Sequence, residues 1–341
     1  MIDLHLHLDG SLPPALLIKL AEKEGVVLPG RTEEELIPFL TAPRDCQNLN
    51  EYLEKFSLPV SCMQSAATLT EAARGLAHEL AVQGFIDAEI RFAPQLHQQK
   101  GLTPKQVIAA VLQGLWQAER EVPLLKTNLI LCCMRGTDNE EANEETVRLA
   151  AEFLKGGNTD LSSTSNTYHA KVCAVDLAGA EALFPTKDFS ELFALARKLD
   201  VPFTIHAGEA AGAESIEAAL SFGARRLGHG VRVIESPKLL DEIIERQIPL
   251  ELCMTSNRQT KALPESTVYP LLYLLRKGAL VTVNTDNMTV SGTTIAREFA
   301  ALRAMGMTAQ EEKQLFANGI KAAFLPETEK EKLREAIHAV Y

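Results

Sequence analysis

The 341-residue sequence has no uninterrupted apolar run long enough to cross a bilayer, so no membrane span is expected. It has no CxxC pair either. Its six cysteines, Cys46, Cys62, Cys132, Cys133, Cys173 and Cys253, are scattered, several of them in apolar strand-like runs. That pattern predicts buried free thiols in a reducing compartment rather than disulfides or a thiolate metal site. Basic runs and aromatic-basic interleaving are missing, and 34 Lys+Arg against 45 Asp+Glu leave a net charge of -11. Such a surface repels phosphate backbones and makes nucleic acid a poor partner. The opening MIDLHLHLDG lacks the basic and apolar regions of a secretion signal, because Asp3, His5 and His7 interrupt it; a cytoplasmic location is expected. No internal repeat of fixed period is present. What remains, 46% hydrophobic and 23% charged, is an ordinary globular composition that does not by itself separate one domain from two.

From about residue 85, short apolar runs alternate with amphipathic helical stretches, the rhythm of a parallel sheet with crossover helices. After residues 2 to 8 the strand candidates are DAEIRFAP, TNLILCCM, KVCAVDLAG, PFTIHAGE, RRLGHG, PLELCMTSN and LVTVNTDN, eight in all. Helical patterns at 103 to 120, 142 to 155, 188 to 199, 213 to 222 and 237 to 246 separate them. Count and order predict an α/β protein, a (β/α)8 TIM barrel occupying 1–341 as a single domain. Two departures from a minimal barrel stand out. Some 75 residues between strands one and two read as a helical insertion, with one helix capped by Ser11 and ended by Gly25, and another opened by a Thr68/Glu71 capping box. Leu49, Tyr52, Leu53 and Phe56 form a helical stripe in it; because the insertion follows a strand, it rises from the C-terminal face of the barrel and could cover a pocket there. The second departure is the polar stretch 156–169, expected to be a mobile excursion on the opposite face. Extra C-terminal helices begin at a Thr308/Glu311 capping box.

In HLHLDG, residues 5 to 10, strand alternation puts His5 and His7 on one face and Leu4, Leu6 and Leu8 on the other. The ends of other strands carry Asp176 and Gly179 (DLAG), His206 and Glu209 (HAGE), His229 (GHG), and Asp286 and Asn287 (NTDN). Barrel enzymes build their sites at these C-terminal strand ends, so four of the eight histidines share one mouth. Three imidazoles and a carboxylate with an open position suit zinc or another borderline divalent ion, which lowers the pKa of bound water toward neutrality. His78 and His338 fall in helices, His97 after a strand and His169 in the polar loop, none of them placed for a metal. Lys171 stands at the start of strand four, on the wrong face to bridge two metals, which argues for a mononuclear site. Ser256 and Asn257 read as structural, capping the next segment.

HLHLDGS, EIRFAP, LCCMR, DLAG, HAGE, RLGHG, LCMTSN and NTDN, in this order from residue 4 to about 290, together resemble the adenosine/AMP deaminase branch of the amidohydrolases. The resemblance implies one zinc per chain held by His5, His7, His206 and Asp286, and hydrolytic removal of a purine 6-amino group, a step of purine salvage. Carried over, Glu209 would protonate purine N1, His229 would orient and help deprotonate the water, and Asp286 would both ligate and hold it. Further substrate contacts would come from His7, from the Gly179 backbone to N3, and from Asp9 to the ribose 5'-hydroxyl. Relatives acting on free adenine or deoxyfutalosine-type substrates tend to carry Glu at Asp9, and nucleotide-specific ones Asn, so aspartate favours a nucleoside. Asn287 departs from the family's commoner NTDD; its amide would donate to purine N7.

Three rivals are weighed. Nucleic-acid deaminases use HxE with PCxxC, and both patterns are missing. A non-enzymatic zinc barrel should have lost an acid or a ligand, and none is lost. Another mononuclear metal hydrolase, or a deaminase of adenine or a modified adenosine, shares most of the constellation and differs in what lines the purine site. The expected partner is a small nucleoside, not nucleic acid or membrane; oligomeric state is not legible.

Overall fold

The computed structural model describes residues 1–156 and 170–338, the last three as backbone. The polar stretch 157–169 and His169 lie outside the described residues. Eight strands occur in the expected places: β1 (Ile2–His7), β2 (Asp87–Phe92), β3 (Lys126–Met134), β4 (Val172–Ala178), β5 (Thr204–Ala207), β6 (Arg226–His229), β7 (Leu250–Leu252) and β8 (Val281–Val283). All pairings are parallel, in two sheets ordered β1-β2-β3-β4 and β5-β6-β7-β8. Two parallel bridges join the sheets at both seams, Leu6 with Asp286 and Val175 with Phe203. At the first seam His7 N donates to Asp286 O at 2.7 Å and Asp286 N to His5 O at 2.8 Å. This is the strand order of a (β/α)8 barrel.

Alternation along β1 works as read. Leu6 and Leu8 enter the main apolar core under the helices, and Leu4 packs with Ile2 against the C-terminal helices. Asp3, His5 and His7 turn inward. The barrel interior is charged where most barrels carry Val, Ile and Leu, because Asp87, Glu89, Arg91, Arg226 and Glu251 are also fully buried. At the N-terminal end Phe324 closes the barrel, its ring 3.9 Å from the Arg226 guanidinium carbon.

The insertion folds as five helices, Pro14–Glu24, Glu33–Leu40, Leu49–Leu53, Ser57–Ser61 and Ala66–Val82, with one 3-10 turn. Two of its expected caps are corrected. Pro13, not Ser11, sits at the N-cap of the first helix, and the Ser11 hydroxyl instead accepts from Met288 N at 3.0 Å, tying the insertion to the segment after β8. The long helix starts three residues early: Ser65 is its cap and Thr68 the N3 partner of the box, while Glu71 pairs with Lys23. The second error comes from choosing the wrong hydroxyl in an entry where several could cap; in the first the helix begins at its prolines with no side-chain cap. Gly25 does end the first helix with φ 72, and Thr308/Glu311 caps the helix Ala309–Ala322 as expected.

Helices Ala66–Val82 and Pro104–Glu121 pack directly on each other, and Gly114 leaves no room for a side chain between them. A Cβ there would lie 2.1 Å from the Thr70 carbonyl oxygen, a backbone atom that cannot move aside cheaply. Gly114→Ala is expected to destabilise the fold by about 1–3 kcal/mol through overpacking, despite alanine's better helix propensity. Denaturant unfolding at equilibrium checks this; a stabilised variant would show that the helices part without cost.

Candidate active site at the C-terminal mouth of the barrel

Of the strand-end residues expected in the site, His7, Gly179, His206, Glu209, His229, Asp286 and Asn287 line the mouth, while His5 and Asp176 are fully buried and do not line it. His5 Nε2 and His7 Nε2 each lie 3.4 Å from Asp286 Oδ1, and His7 Nε2 lies 3.3 Å from His206 Nε2. The tightest metal-sized grouping is His5, His206, His229 and Asp286, with one donor atom from each within 4.8 Å of all the others. His7 joins it through the two contacts just given, so five side chains compete for four places. His229 and Asp286 hold φ of 59° and 60°, a left-handed conformation uncommon for residues other than glycine. Strain of this kind persists where the surroundings over-determine it. Gly228 makes room: a Cβ on it would come within 3.1 Å of the His5 ring.

A second layer of carboxylates orients the imidazoles. His5 Nδ1 donates to Glu251 Oε2 at 2.8 Å, and His206 Nδ1 lies 2.9 Å from Asp176 Oδ2. With hydrogens on both Nδ1 atoms, the Nε2 lone pairs of His5 and His206 point into the cluster, and His5 Nε2 has no hydrogen-bond partner among the described residues. Lone pairs and a carboxylate oxygen converging with no shared hydrogens are a donor set for a divalent cation, and carboxylate-backed histidines are how proteins hold one. Burial alone would raise the acids, but the adjacent His206 imidazole and the Arg91 guanidinium keep Asp176 well below the usual carboxylate range, and Arg91 and Arg226 do the same for Glu251. Asp286 is likewise held well below the usual carboxylate range by the imidazoles around it, His5 first, against its own burial. Burial drives His7 and His229 well below their ordinary values, so both are neutral.

Beside the cluster, Glu209 Oε2 is 3.4 Å from His229 Nε2. Burial first, then the Asp286 charge, pushes the Glu209 carboxyl up to about 8, leaving it protonated at neutral pH. Residues that the sequence reading passed over surround this pair. Asn257, taken for a cap, places Nδ2 3.0 Å from His229 Nδ1, and Thr260 Oγ1 donates to Glu209 Oε1 at 2.9 Å. Glu181 holds the loop that carries Glu209: its carboxylate accepts from the backbone N–H of Gly208, Glu209, Ala210 and Ala211 at 2.7 to 3.0 Å.

A cavity of about 220 Å³ opens in front of these groups. Leu49, Tyr52, Leu53 and Phe56 form part of its wall, so the insertion does cover the mouth. Asp9, Gly179 and Asn287 line it as expected. Asp9 is buried, which raises its carboxyl to about 6, and its Oδ1 has no hydrogen-bond partner among the described residues. Asn287 Oδ1 is likewise without one and packs on Gly10, whose Cβ position it would occupy. That orphan atom is an acceptor, whereas contact to a purine ring nitrogen needs the Nδ2 donor; a half-turn of the amide exchanges them. His97, buried and bonded to Met63 O at 2.8 Å, is structural. His78 pairs with Glu121 on the surface, and the exposed Lys171 sits just before β4, away from the mouth.

A parallel α/β barrel whose mouth gathers buried histidines and an aspartate beside a protonated glutamate has the architecture of the metal-dependent amidohydrolases. Comparison with known proteins narrows the class: a model of the adenosine deaminase family matches residues 1–340, and the chain belongs to that family. Adenosine deaminase of Haemophilus ducreyi is 46% identical over 342 residues, covering 100% of this chain and 96% of the relative. Among solved structures, adenine deaminase from Arthrobacter aurescens superposes with a TM-score of 0.86 at 26% identity, covering 99% of this chain and 98% of that one. An amidohydrolase from Burkholderia ambifaria with bound Zn gives 0.83 at 20% identity over 98% and 88%, a likeness of fold.

Asp176→Asn should weaken divalent-metal binding by the folded protein roughly 10- to 100-fold, since the amide no longer polarises His206, and should also lower stability, because Arg91 loses a buried charged partner. Competition with a chelator, followed by metal analysis of the purified protein, measures it. Unchanged metal affinity would mean that His206 is not a ligand.

Proposed function

We propose that this chain is an adenosine deaminase, converting adenosine, and 2'-deoxyadenosine, to inosine or deoxyinosine and ammonia by hydrolysis at purine C6. The observation that carries the reading is Glu209: a carboxyl kept protonated by burial, at the edge of a largely apolar cavity, beside a neutral histidine and a ring of metal donors. His5, His7, His206 and Asp286 would hold one zinc ion. Zinc, when bound, supplies a Lewis acid that acidifies a water molecule at neutral pH.

The chain's own groups then do the rest. Glu209 delivers its proton to purine N1, which withdraws electron density from C6 and opens it to attack. The water oxygen adds to C6, with Asp286, held ionised, accepting one of its hydrogen bonds and His229 placed against the same oxygen. Collapse of the tetrahedral carbon expels the 6-amino group. Of the two water protons, one completes ammonia and the other returns Glu209 to its acid form, while N1 keeps the proton it received. Gly179 offers its backbone to N3. Asn287, in place of the family's usual aspartate, can serve N7 through its amide without first having to hold a proton.

Asp9 supports a nucleoside over a nucleotide. Its free Oδ1 accepts from a ribose hydroxyl, and a carboxylate at that end of the cavity repels a 5'-phosphate. Adenine, with no ribose to occupy Asp9, would leave that buried oxygen unmatched, at a cost of about 1–3 kcal/mol. Six free, buried cysteines and no described helix long and apolar enough to cross a membrane suit a cytoplasmic enzyme.

Glu209→Gln tests the acid. The amide cannot deliver a proton, so kcat on adenosine should fall by roughly 10²- to 10⁴-fold with metal content unchanged. Wild-type turnover in this variant would remove Glu209 from the mechanism. The pH profile gives a second check, with its sign set by which form works: the protonated carboxyl is active, so turnover should be lost as pH rises through about 8, the value to which Glu209 is pushed. A profile that instead climbs through that range would identify an ionised base at this position.

A further inference from the structure

We propose that Asn257 is a positioning residue that decides where two protons sit: it keeps the hydrogen of His229 on Nε2, and it leaves Oε2 as the oxygen of Glu209 that carries the acid proton. What those protons accomplish rests on the deaminase reading; their placement does not.

Asn257 lies in the short helix Met254–Gln259 just after β7 and is 2% exposed. Its Oδ1 accepts a hydrogen bond from the buried Tyr269 hydroxyl at 2.8 Å. The amide is therefore turned so that Nδ2 faces the site, 3.0 Å from His229 Nδ1 and 3.4 Å from Glu209 Oε1. An amide nitrogen only donates, so His229 Nδ1 is the acceptor, and a neutral imidazole that accepts at Nδ1 carries its hydrogen on Nε2. Turning the amide over would set Oδ1 against Glu209 Oε1, two acceptors face to face. Glu209 Oε1 also accepts from Thr260 Oγ1 at 2.9 Å. With two donors on Oε1, the acid hydrogen belongs on Oε2, the oxygen nearer His229 Nε2 at 3.4 Å.

The consequence is mechanistic. An imidazole with its hydrogen on Nε2 has no lone pair there with which to take a proton from water. His229 thus begins turnover as a hydrogen-bond donor to the oxygen that adds to C6, stabilising the charge that develops on it, in place of the expected help in deprotonation. Tyr269 and Thr260 are the two hydroxyls that fix the arrangement. They act through Asn257 and Glu209 and touch no reacting atom.

Nitrogen-15 NMR of the metal-loaded enzyme with labelled histidine decides it, with His229 assigned by the signals that disappear in His229→Gln. We expect Nδ1 in the range of an unprotonated imidazole nitrogen and Nε2 in that of a protonated one. Asn257→Asp replaces the donor by an acceptor and should move the hydrogen to Nδ1, lowering kcat on the order of 10- to 100-fold while KM changes far less. Tyr269→Phe, which leaves the amide in place but unlocked, should give a smaller loss in the same direction. A wild-type spectrum with Nδ1 protonated overturns the proposal, as does a folded Asn257→Asp protein whose Nδ1 stays unprotonated. If Asn257→Asp does not fold, the wild-type spectrum alone decides. An enzyme inert to adenosine but showing the expected spectrum would overturn the functional reading and leave the proton placement standing.

Discussion

Arg91 bridges the two carboxylates on which the site's geometry depends. From near the C-terminal end of β2 its Nη1 donates to Asp176 Oδ2 and its Nη2 to Glu251 Oε2, both at 2.8 Å, with all three side chains fully buried. Asp176 faces His206 and Glu251 holds His5, so one guanidinium sets the position of two imidazoles on opposite sides of the barrel. Arg226, donating to Glu251 Oε1 at 2.6 Å and paired with Glu89, continues the network to the barrel floor. Burying so many charges costs desolvation energy that their mutual attraction only partly offsets, whereas removing a single partner typically costs 3–5 kcal/mol, on the order of the whole stability of a domain. The arrangement makes physical sense as a device for orientation rather than for stability.

What it orients is a set of groups each held in the protonation state that hydrolytic deamination needs. The imidazole lone pairs of His5 and His206 face inward, Asp286 is ionised, His7 and His229 are neutral, and Glu209 is protonated, because of its burial and then because it stands within the field of Asp286. Two carboxyl groups in one pocket, one held ionised and one held protonated, is the general pattern by which acid and base roles are divided. The helical insertion contributes the apolar wall, which keeps bulk water from screening these charges.

Much of this was legible in the sequence because a strand alternates. Once β1 is recognised in HLHLDG, the inward placement of His5 and His7 follows from the pleat, and eight apolar runs with helices between them leave few topologies besides the barrel. His206, His229 and Asp286 were legible from their positions at strand ends. The supporting residues were less so. Asn257 follows β7 in a polar run that reads as a cap, and nothing local shows that its amide meets a histidine 28 residues earlier. Glu181 looks like a loop acid until the fold brings four backbone N–H groups to it. Arg91, Arg226 and Glu251 did leave a signal that went unused: single charges inside otherwise apolar strands, which a buried strand tolerates only when they are paired. The caps at Ser11 and Thr68 failed for different reasons: the Ser11 hydroxyl is taken by the tertiary contact with Met288, while the run before the long helix contains several hydroxyls and Ser65 is the one that caps.

Hydrolysis at C6 by an adenosine-specific site is the claim on which the account stands. It is tested most directly by incubating the purified, metal-loaded enzyme with adenosine in oxygen-18 water and analysing the product by mass spectrometry. The account predicts inosine carrying one oxygen-18 atom at C6 and one ammonia released per inosine formed. Recovery of unchanged adenosine from a folded, metal-loaded protein, or a product whose C6 oxygen does not come from water, would contradict it.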